Sequence, residues 1–259
     1  RSPRNYSLGA ATPKYTGSAP NPPVPPAPVS PVADLISIMT SVRDQGDRGT
    51  CAVFSVIATR ESVEILNMNN QSIDLSEQCL YYNTKQADGY NGDGTWVLEV
   101  LQVLQNNGVC EEQKWPYINT YDPNNITHGP PSHTCSTGTY NINGYIELPT
   151  NSVHSIKEKL SNRMTVVVTF PVYASWCKSG WTEATGEITM PLPIDLADGT
   201  NFLGNHAVCL TGYNDQDQMF FFKNSWGTGW AQNSAYGPGY GQLPYGYIAR
   251  YCLEAYCLP

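Results

Sequence analysis

The chain has 259 residues, of which 41% are hydrophobic and only 14% charged, and its net charge is −8 at pH 7. That length suits one large domain or two lobes sharing an interface. The acidic balance argues against a nucleic-acid partner, which calls for a basic patch, and no apolar run reaches the ~18 residues of a membrane span.

In chain order, the first 31 residues carry nine of the 20 prolines, a composition that excludes a helix and predicts polyproline II or an unstructured arm. At ~3.1 Å per residue, Pro20 to Pro31 would reach roughly 35 Å along the surface. After Pro31 the pattern turns helical. Thr50 is placed to cap a helix from Cys51 to about Leu66, and Ala52 to Ala58 is apolar except for Ser55, as in a helix buried on most sides. Ser76 caps a second helix, SEQCLYYNTK. Thr95 is placed to cap a third, with Trp96, Val97, Val100, Leu101 and Leu104 as its apolar stripe and Asn107-Gly108 as its stop. A fourth runs from Ser152 to about Asn162.

Beyond it come β-branched or aromatic runs between turn residues: Thr165–Thr169, Ala207–Tyr213, Met219–Lys223 and Tyr247–Tyr251. Helices first and strands second predict an α+β fold in two lobes. Residues 1–31 form an arm or the remnant of a pro-segment, 32–145 a mainly helical lobe and 146–259 a mainly β lobe. The chain opens on Arg1, not methionine, as a processed or trimmed product would. Eight cysteines and Asn-x-Ser/Thr sequons at Asn5, Asn70 and Asn125 lean towards an oxidising, secreted or lumenal setting.

Four polar features follow one another in the order Gln45, Cys51, His206, Asn224. Alone, Cys51 reads as a small packing residue and His206 as a satisfied structural histidine. Together they describe a thiol at a helix N-terminus, where the partial positive charge favours thiolate, and an imidazole on a strand that can take and return a proton. Asn224 offers an amide oxygen to hold that ring, and Trp226 can shield the bond from water. Of the other histidines, His128 and His133 lie in a Pro/Gly-rich loop and His154 in the fourth helix.

The segments DQGDRGTCAVFS, LSEQCLYYN, NGDGTW, NHAVCLTGY and KNSWGTGW resemble, in sequence and order, the landmarks of the papain-like cysteine peptidases, over about Val32 to Arg250. GPGYGQLPYGYIARY and NNGVCEEQKWPY look more like a divergent bacterial-type branch than like the lysosomal members. The resemblance implies a helical left lobe and a β-barrel-like right lobe with the cleft between them. It also implies Cys51 as nucleophile, His206 as acid/base, Asn224 as orienting residue, and Gln45 with the Cys51 N–H as oxyanion hole. The Cys51-to-His206 separation exceeds the ~130–150 residues usual for such enzymes, which predicts insertions within Ser175 to Asn201.

Two departures stand out. The usual cysteine three residues before the nucleophile is Arg48, and its usual disulfide partner is Tyr90, so an Arg48–Tyr90 contact is the expected substitute. The aromatic residue that normally follows the nucleophile is Ala52, which should leave a gap. Of the glycine pair that hydrogen-bonds extended substrate, Gly92 remains, while Asp93 replaces the second and would discourage acidic side chains. The resemblance places a small, neutral S2 pocket near Gly94, Thr95, Gly204, Asn205 and Ala207. Cys209 is expected as a buried thiol, and Cys135 matches a family disulfide position, with Cys79 or Cys110 as partner. Cys177, Cys252 and Cys257 stay unassigned, the last two being close enough for a small loop.

The expected function is a thiol endopeptidase acting on extended peptide or protein, as a monomer, with no metal or organic cofactor; the histidines lack zinc-site spacing. Exopeptidase or transpeptidase chemistry on the same fold, and a non-catalytic peptide-binding homologue, are the competing readings. The arm either packs on the surface or lies across the cleft and blocks it.

Overall fold

A computed structural model describes residues 7–12, 29–130, 140–178, 180–197 and 199–259. Most of the proline-rich stretch, the Asn5 sequon, His133 and Cys135 lie outside the described residues.

The helical part is built around α1 (Cys51–Met68), buried from Cys51 through Ser62. Val53, Val56, Ile57 and Ile65 are all but inaccessible, and burying each such side chain contributes about 1.5–3 kcal/mol. The polar residues of this helix find partners: Ser55 Oγ donates to the Ala52 carbonyl at 2.9 Å, Thr59 Oγ1 lies 3.3 Å from Cys209 Sγ, and Ser62 Oγ is 3.0 Å from Thr165 Oγ1. Asn69, in the left-handed conformation, ends it. Thr50 is the N-cap by position only; its hydroxyl bonds the Tyr117 hydroxyl at 2.6 Å.

Helix α2 (Glu77–Ala87) is capped by Ser76, whose hydroxyl accepts from the Cys79 N–H at 2.9 Å. Helix α3 (Val97–Asn107) starts one residue later than expected, with Trp96 as N-cap, because the Thr95 hydroxyl is held by Asp88. Gly108 closes it. Helix α4 (Val153–Ser161) is capped by Ser152.

A seven-stranded antiparallel sheet forms the other part, in the order β2 (Ile146–Glu147), β7 (Glu254–Cys257), β3 (Val166–Tyr173), β4 (Phe202–Asn214), β5 (Met219–Lys223) and β6 (Tyr240–Pro244). Strand β1 (Val32–Asp34) also pairs with β4, so the first strand after the proline-rich stretch belongs to the sheet. Helix α1 packs on β3 and β4, which joins the two lobes. Between β3 and β4 run the short helices α5 (Ala174–Lys178), α6 (Gly180–Thr185) and α7 (Pro193–Leu196), where the inserted residues were expected.

One expected strand is a helix. Tyr245–Tyr251 forms α8, with Pro244 as N-cap. Tyr247 and Ile248 are buried, Tyr247 stacks edge-on with Tyr251 four residues on, and its hydroxyl reaches the Pro171 carbonyl at 2.7 Å. Packing on β3 at helical spacing overrides the β-propensity of Tyr and Ile. Cys252 and Cys257 are both free thiols, with no small loop between them, and Cys209 is buried and free as expected.

Candidate active site

Cys51 is the first residue of α1, where backbone N–H groups lack helical partners. His206 stands on β4 opposite Phe170 of β3, so a paired strand fixes its backbone. The N–H of Ala207, the next residue, turns to the Cys51 sulfur, which sets helix end and strand side by side. Asn224, just after β5, lies 2.8 Å from His206 Nε2 through Oδ1, and the same oxygen accepts the Ser225 N–H at 2.9 Å. With that oxygen as acceptor, Nε2 carries the ring proton and the neutral ring's Nδ1 keeps its lone pair. Nδ1 is buried and has no hydrogen-bond partner, as a base awaiting a proton would be. Trp226 stacks on the ring at 4.5 Å and 28°.

Gln45 is fully buried. Its Oε1 accepts from Ser225 Oγ at 2.6 Å, which turns Nε2 towards the cleft, where it donates to the Arg48 carbonyl at 2.6 Å and the Ser7 carbonyl at 2.9 Å. The loops carrying Gln45 and Asn224 are tied together by Gln45 N–H to Ser225 O, 2.8 Å, and Gly227 N–H to Arg43 O, 3.0 Å. The structure thus brings Gln45, Cys51, His206 and Asn224 into one site.

Residues Ser7 to Thr12 lie in the cleft. Thr95 N–H donates to the Gly9 carbonyl at 2.9 Å, Ala11 N–H to the Thr95 carbonyl at 2.9 Å, and Ala10 N–H to the Asn205 carbonyl at 3.2 Å. Trp96 Nε1 donates to the Thr12 carbonyl at 2.7 Å. Three glycines allow this approach: a Cβ on Gly9 would lie 1.7 Å from the Gly49 oxygen, and one on Gly94 would lie 2.2 Å from the Gly9 oxygen. Leu8 packs over Gly204, and Ala10 is buried. The surface-packed arm is therefore not what these residues show.

This covering changes the electrostatics of the site. Cys51 and His206 are both completely buried. Burial pushes the Cys51 thiol up, against the N–H groups of Ala207, Gly9, Ala10 and Ala52 that turn to its sulfur. It pushes His206 down to about 4, against the Asn224 bond that favours the charged ring. Both shifts favour the neutral pair over thiolate and imidazolium.

Several expected contacts are replaced by others. Arg48 does not meet Tyr90, whose ring pairs with Trp96 at 5.5 Å and carries Lys85 at 5.1 Å. The fully buried Arg48 guanidinium instead reaches Asp93 at 3.4 Å, the Ile118 carbonyl at 2.8 Å and the Ile126 carbonyl at 2.5 Å, over the Tyr81 ring at 4.7 Å. Asp93 is turned inward, accepting also from the Gly49 N–H and, at 2.7 Å, from the Tyr81 hydroxyl, so it is not a charge on the rim. Gly92 lies against the Tyr90 ring, and Thr95, not Gly92, pairs with the extended segment. Ala52 is fully buried, so no open gap follows Cys51.

The pocket expected to be neutral has an acid beside it that the sequence offers no local sign of. Glu254, Thr169 and Ala207 face one another across β7, β3 and β4. Glu254 accepts from Thr169 Oγ1 at 3.1 Å and is approached by the N–H groups of Leu98 and Val97 at the start of α3. Burial pushes its carboxyl up to about 7. The folded protein therefore holds a proton that the unfolded chain releases above an ordinary glutamate value of ~4.3, and stability falls as pH rises from there to about 7. The Glu254→Gln variant should lose less melting temperature than the parent between pH 5 and pH 8; an identical loss would contradict this.

The model of the Papain family cysteine protease family matches residues 32–242. An uncharacterized peptidase C1-like protein of Acanthamoeba polyphaga mimivirus is 27% identical over 214 residues, 79% of this chain and 64% of the relative. Cysteine proteinase 1 of Entamoeba histolytica is 26% identical over 201 residues, 72% of this chain and 56% of the relative. The chain thus spans less than two thirds of the length of these relatives. Among solved structures, xylellain, a cysteine protease from Xylella fastidiosa, superposes with a TM-score of 0.79 at 24% identity, covering 98% of this chain and 97% of its own. Digestive procathepsin L 3 of Tenebrio molitor larval midgut gives 0.67 at 22% identity, covering 98% and 76%. Family match, two-lobed fold and the joined Gln45, Cys51, His206 and Asn224 agree: the chain belongs to the papain family of cysteine proteases.

Proposed function

We propose that this protein is a cysteine endopeptidase whose N-terminal arm holds it inactive. In this reading Cys51 attacks a peptide carbonyl as its proton passes to His206 Nδ1. The Gln45 amide and the Cys51 N–H stabilise the oxyanion. His206 then protonates the leaving amine, and water, deprotonated by the same ring, hydrolyses the thioester.

One observation carries the reading. Residues 7–12 lie extended in the cleft on backbone hydrogen bonds from Thr95 and Asn205, with the Ser7 carbonyl on Gln45 Nε2. A site that seats a chain this way, with a carbonyl on the oxyanion donor, is shaped for peptide. The chain continues beyond both ends of that segment, which favours internal cleavage over removal of terminal residues.

The arm's direction supports an inhibitory role. From the carbonyl at Gln45, the following residues pass Gly204 and then Thr95 and Asn205, the wall of the expected S2 pocket. A substrate would fill that pocket with residues preceding its scissile carbonyl, so the arm runs the opposite way. Residues 1–31 would then act as a retained pro-segment ahead of the peptidase region, and the sequons at Asn70 and Asn125 fit an exported protein. No helix among the described residues is long and apolar enough to cross a membrane.

The test is a library of extended peptides assayed across pH with the full chain and with Gly9→Ala, alongside labelling by a thiol-directed epoxide. Internal cleavage with label on Cys51 is expected. Absence of both in both proteins would end the peptidase reading, and trimming only from one terminus would favour the exopeptidase.

A further inference from the structure

The two loops that flank the nucleophile are joined by a charged cluster, and this cluster connects to the oxyanion donor. Asp93 accepts from the Gly49 N–H, from Arg48 Nε at 3.4 Å and from the Tyr81 hydroxyl at 2.7 Å. Tyr81 also donates to the Asp93 carbonyl at 2.9 Å. The Arg48 side chain is fully enclosed, with two loop carbonyls on its remaining nitrogens. Its own carbonyl accepts from Gln45 Nε2 at 2.6 Å. With the arm's Ser7 carbonyl set aside, that bond and the one from Ser225 Oγ to Oε1 are what aim the Gln45 amide. The Arg48–Gly49–Thr50 turn therefore carries Cys51 at one end and the anchor of Gln45 at the other, and Asp93 grips it in the middle.

We propose that Asp93, acting through Arg48 and Gly49, is a positioning residue for the oxyanion donor Gln45. The inference rests on the peptidase reading above and adds to it. A carboxylate that fixes both the N–H of Gly49 and the guanidinium of Arg48 fixes the peptide plane between residues 48 and 49, and so the direction of the Arg48 carbonyl. Loss of that direction lets the Gln45 amide swing. An oxyanion donor acts most strongly when its N–H points where charge develops, so the cost falls on the tetrahedral state and less on ground-state binding or on the thiolate.

Two probes separate these effects. A peptide aldehyde adds reversibly to Cys51: an S–C bond forms, the carbonyl π pair moves onto oxygen, and the thiol proton ends there, giving a hemithioacetal beside Gln45. Iodoacetamide alkylates the same sulfur by displacing iodide and creates no oxyanion. Both are measured on the full chain carrying Gly9→Ala, with alkylation read by mass on the Cys51 peptide. Asp93→Asn should weaken aldehyde binding about 10–100-fold and change Cys51 alkylation by less than about threefold, with kcat falling and KM nearly constant. Tyr81→Phe, which keeps the carboxylate and removes one of its partners, should shift aldehyde binding in the same direction by a smaller factor. In a Gln45→Ala background the Asp93→Asn effect should largely vanish.

Equal losses with both probes, or an Asp93→Asn effect that multiplies undiminished onto Gln45→Ala, would overturn the inference. Should Asp93→Asn fail to fold, aldehyde binding by Tyr81→Phe equal to the parent would overturn it instead. A parent protein that reacts with neither probe nor substrate overturns the peptidase reading, and this inference with it.

Discussion

Alanine at Cys51 is expected to lower turnover of a cleaved peptide by at least about 10⁴-fold, measured on the full chain with Gly9→Ala to open the cleft. The other thiols among the described residues sit elsewhere in the fold. Cys209 is buried against Thr59, eight residues further along α1, Cys79 lies on α2 and Cys110 after α3, and Cys177, Cys252 and Cys257 lie on the insertion, after α8 and on β7. The residual rate would come from Gln45 and the cleft acting on water. Binding of the peptide should survive, because the Thr95 and Asn205 hydrogen bonds are backbone contacts that Cys51 does not make. A near-normal rate in Cys51→Ala would place the chemistry elsewhere, whereas loss of both rate and binding would indicate that the helix start had collapsed.

The second large effect concerns the arm. Replacing Gly9 by alanine sets a Cβ 1.7 Å from a backbone oxygen of Gly49, a position that no rotamer adjustment can relieve. The arm must leave the cleft or buckle, and turnover should rise at least about tenfold, the equivalent of ~1.4 kcal/mol of lost arm binding. Removing residues 1–28 should do the same or more. The cut belongs before Val29, because the Ser30 carbonyl accepts from the Tyr213 hydroxyl at 2.6 Å and the Pro31 carbonyl from the Asp215 N–H at 2.9 Å. Opening the cleft also rehydrates Cys51 and His206, so the thiolate–imidazolium pair that burial disfavours should become accessible, seen as faster alkylation of Cys51 near neutral pH. Unchanged turnover and unchanged alkylation in both variants would remove the inhibitory role.

Much of this was legible in the order of residues, for local reasons. Ser76 and Ser152 cap helices because a hydroxyl needs only the N–H three residues ahead. Helix α1 announces itself through an apolar run broken only by Ser55, and Met219–Lys223 is a strand at its expected bounds. The set Gln45, Cys51, His206 and Asn224 was also visible, since each sits beside a recognisable turn, strand or helix start.

What escaped depends on contacts between residues distant in sequence. Tyr245–Tyr251 is helical because Tyr247 must reach Pro171 of β3, and propensity is silent on that. Arg48 chose Asp93 over Tyr90 because a fully enclosed guanidinium needs a carboxylate and carbonyls around it, which a half-exposed tyrosine cannot supply. Glu254 meets the start of α3 only through the pairing of β7 with β3.

By itself, the sequence determined which groups this protein brings to its site: a thiol at a helix start, an imidazole on a strand, an amide to hold that ring and a second, buried amide beside the thiol. Capping, periodicity and residue order are short-range properties and survive in one dimension. Only the tertiary structure decided the state of that chemistry. Three glycines brought together by the fold, Gly9, Gly49 and Gly94, let one backbone pass against another closely enough for the arm to cover Cys51, and close approach in space leaves no trace in spacing along the chain.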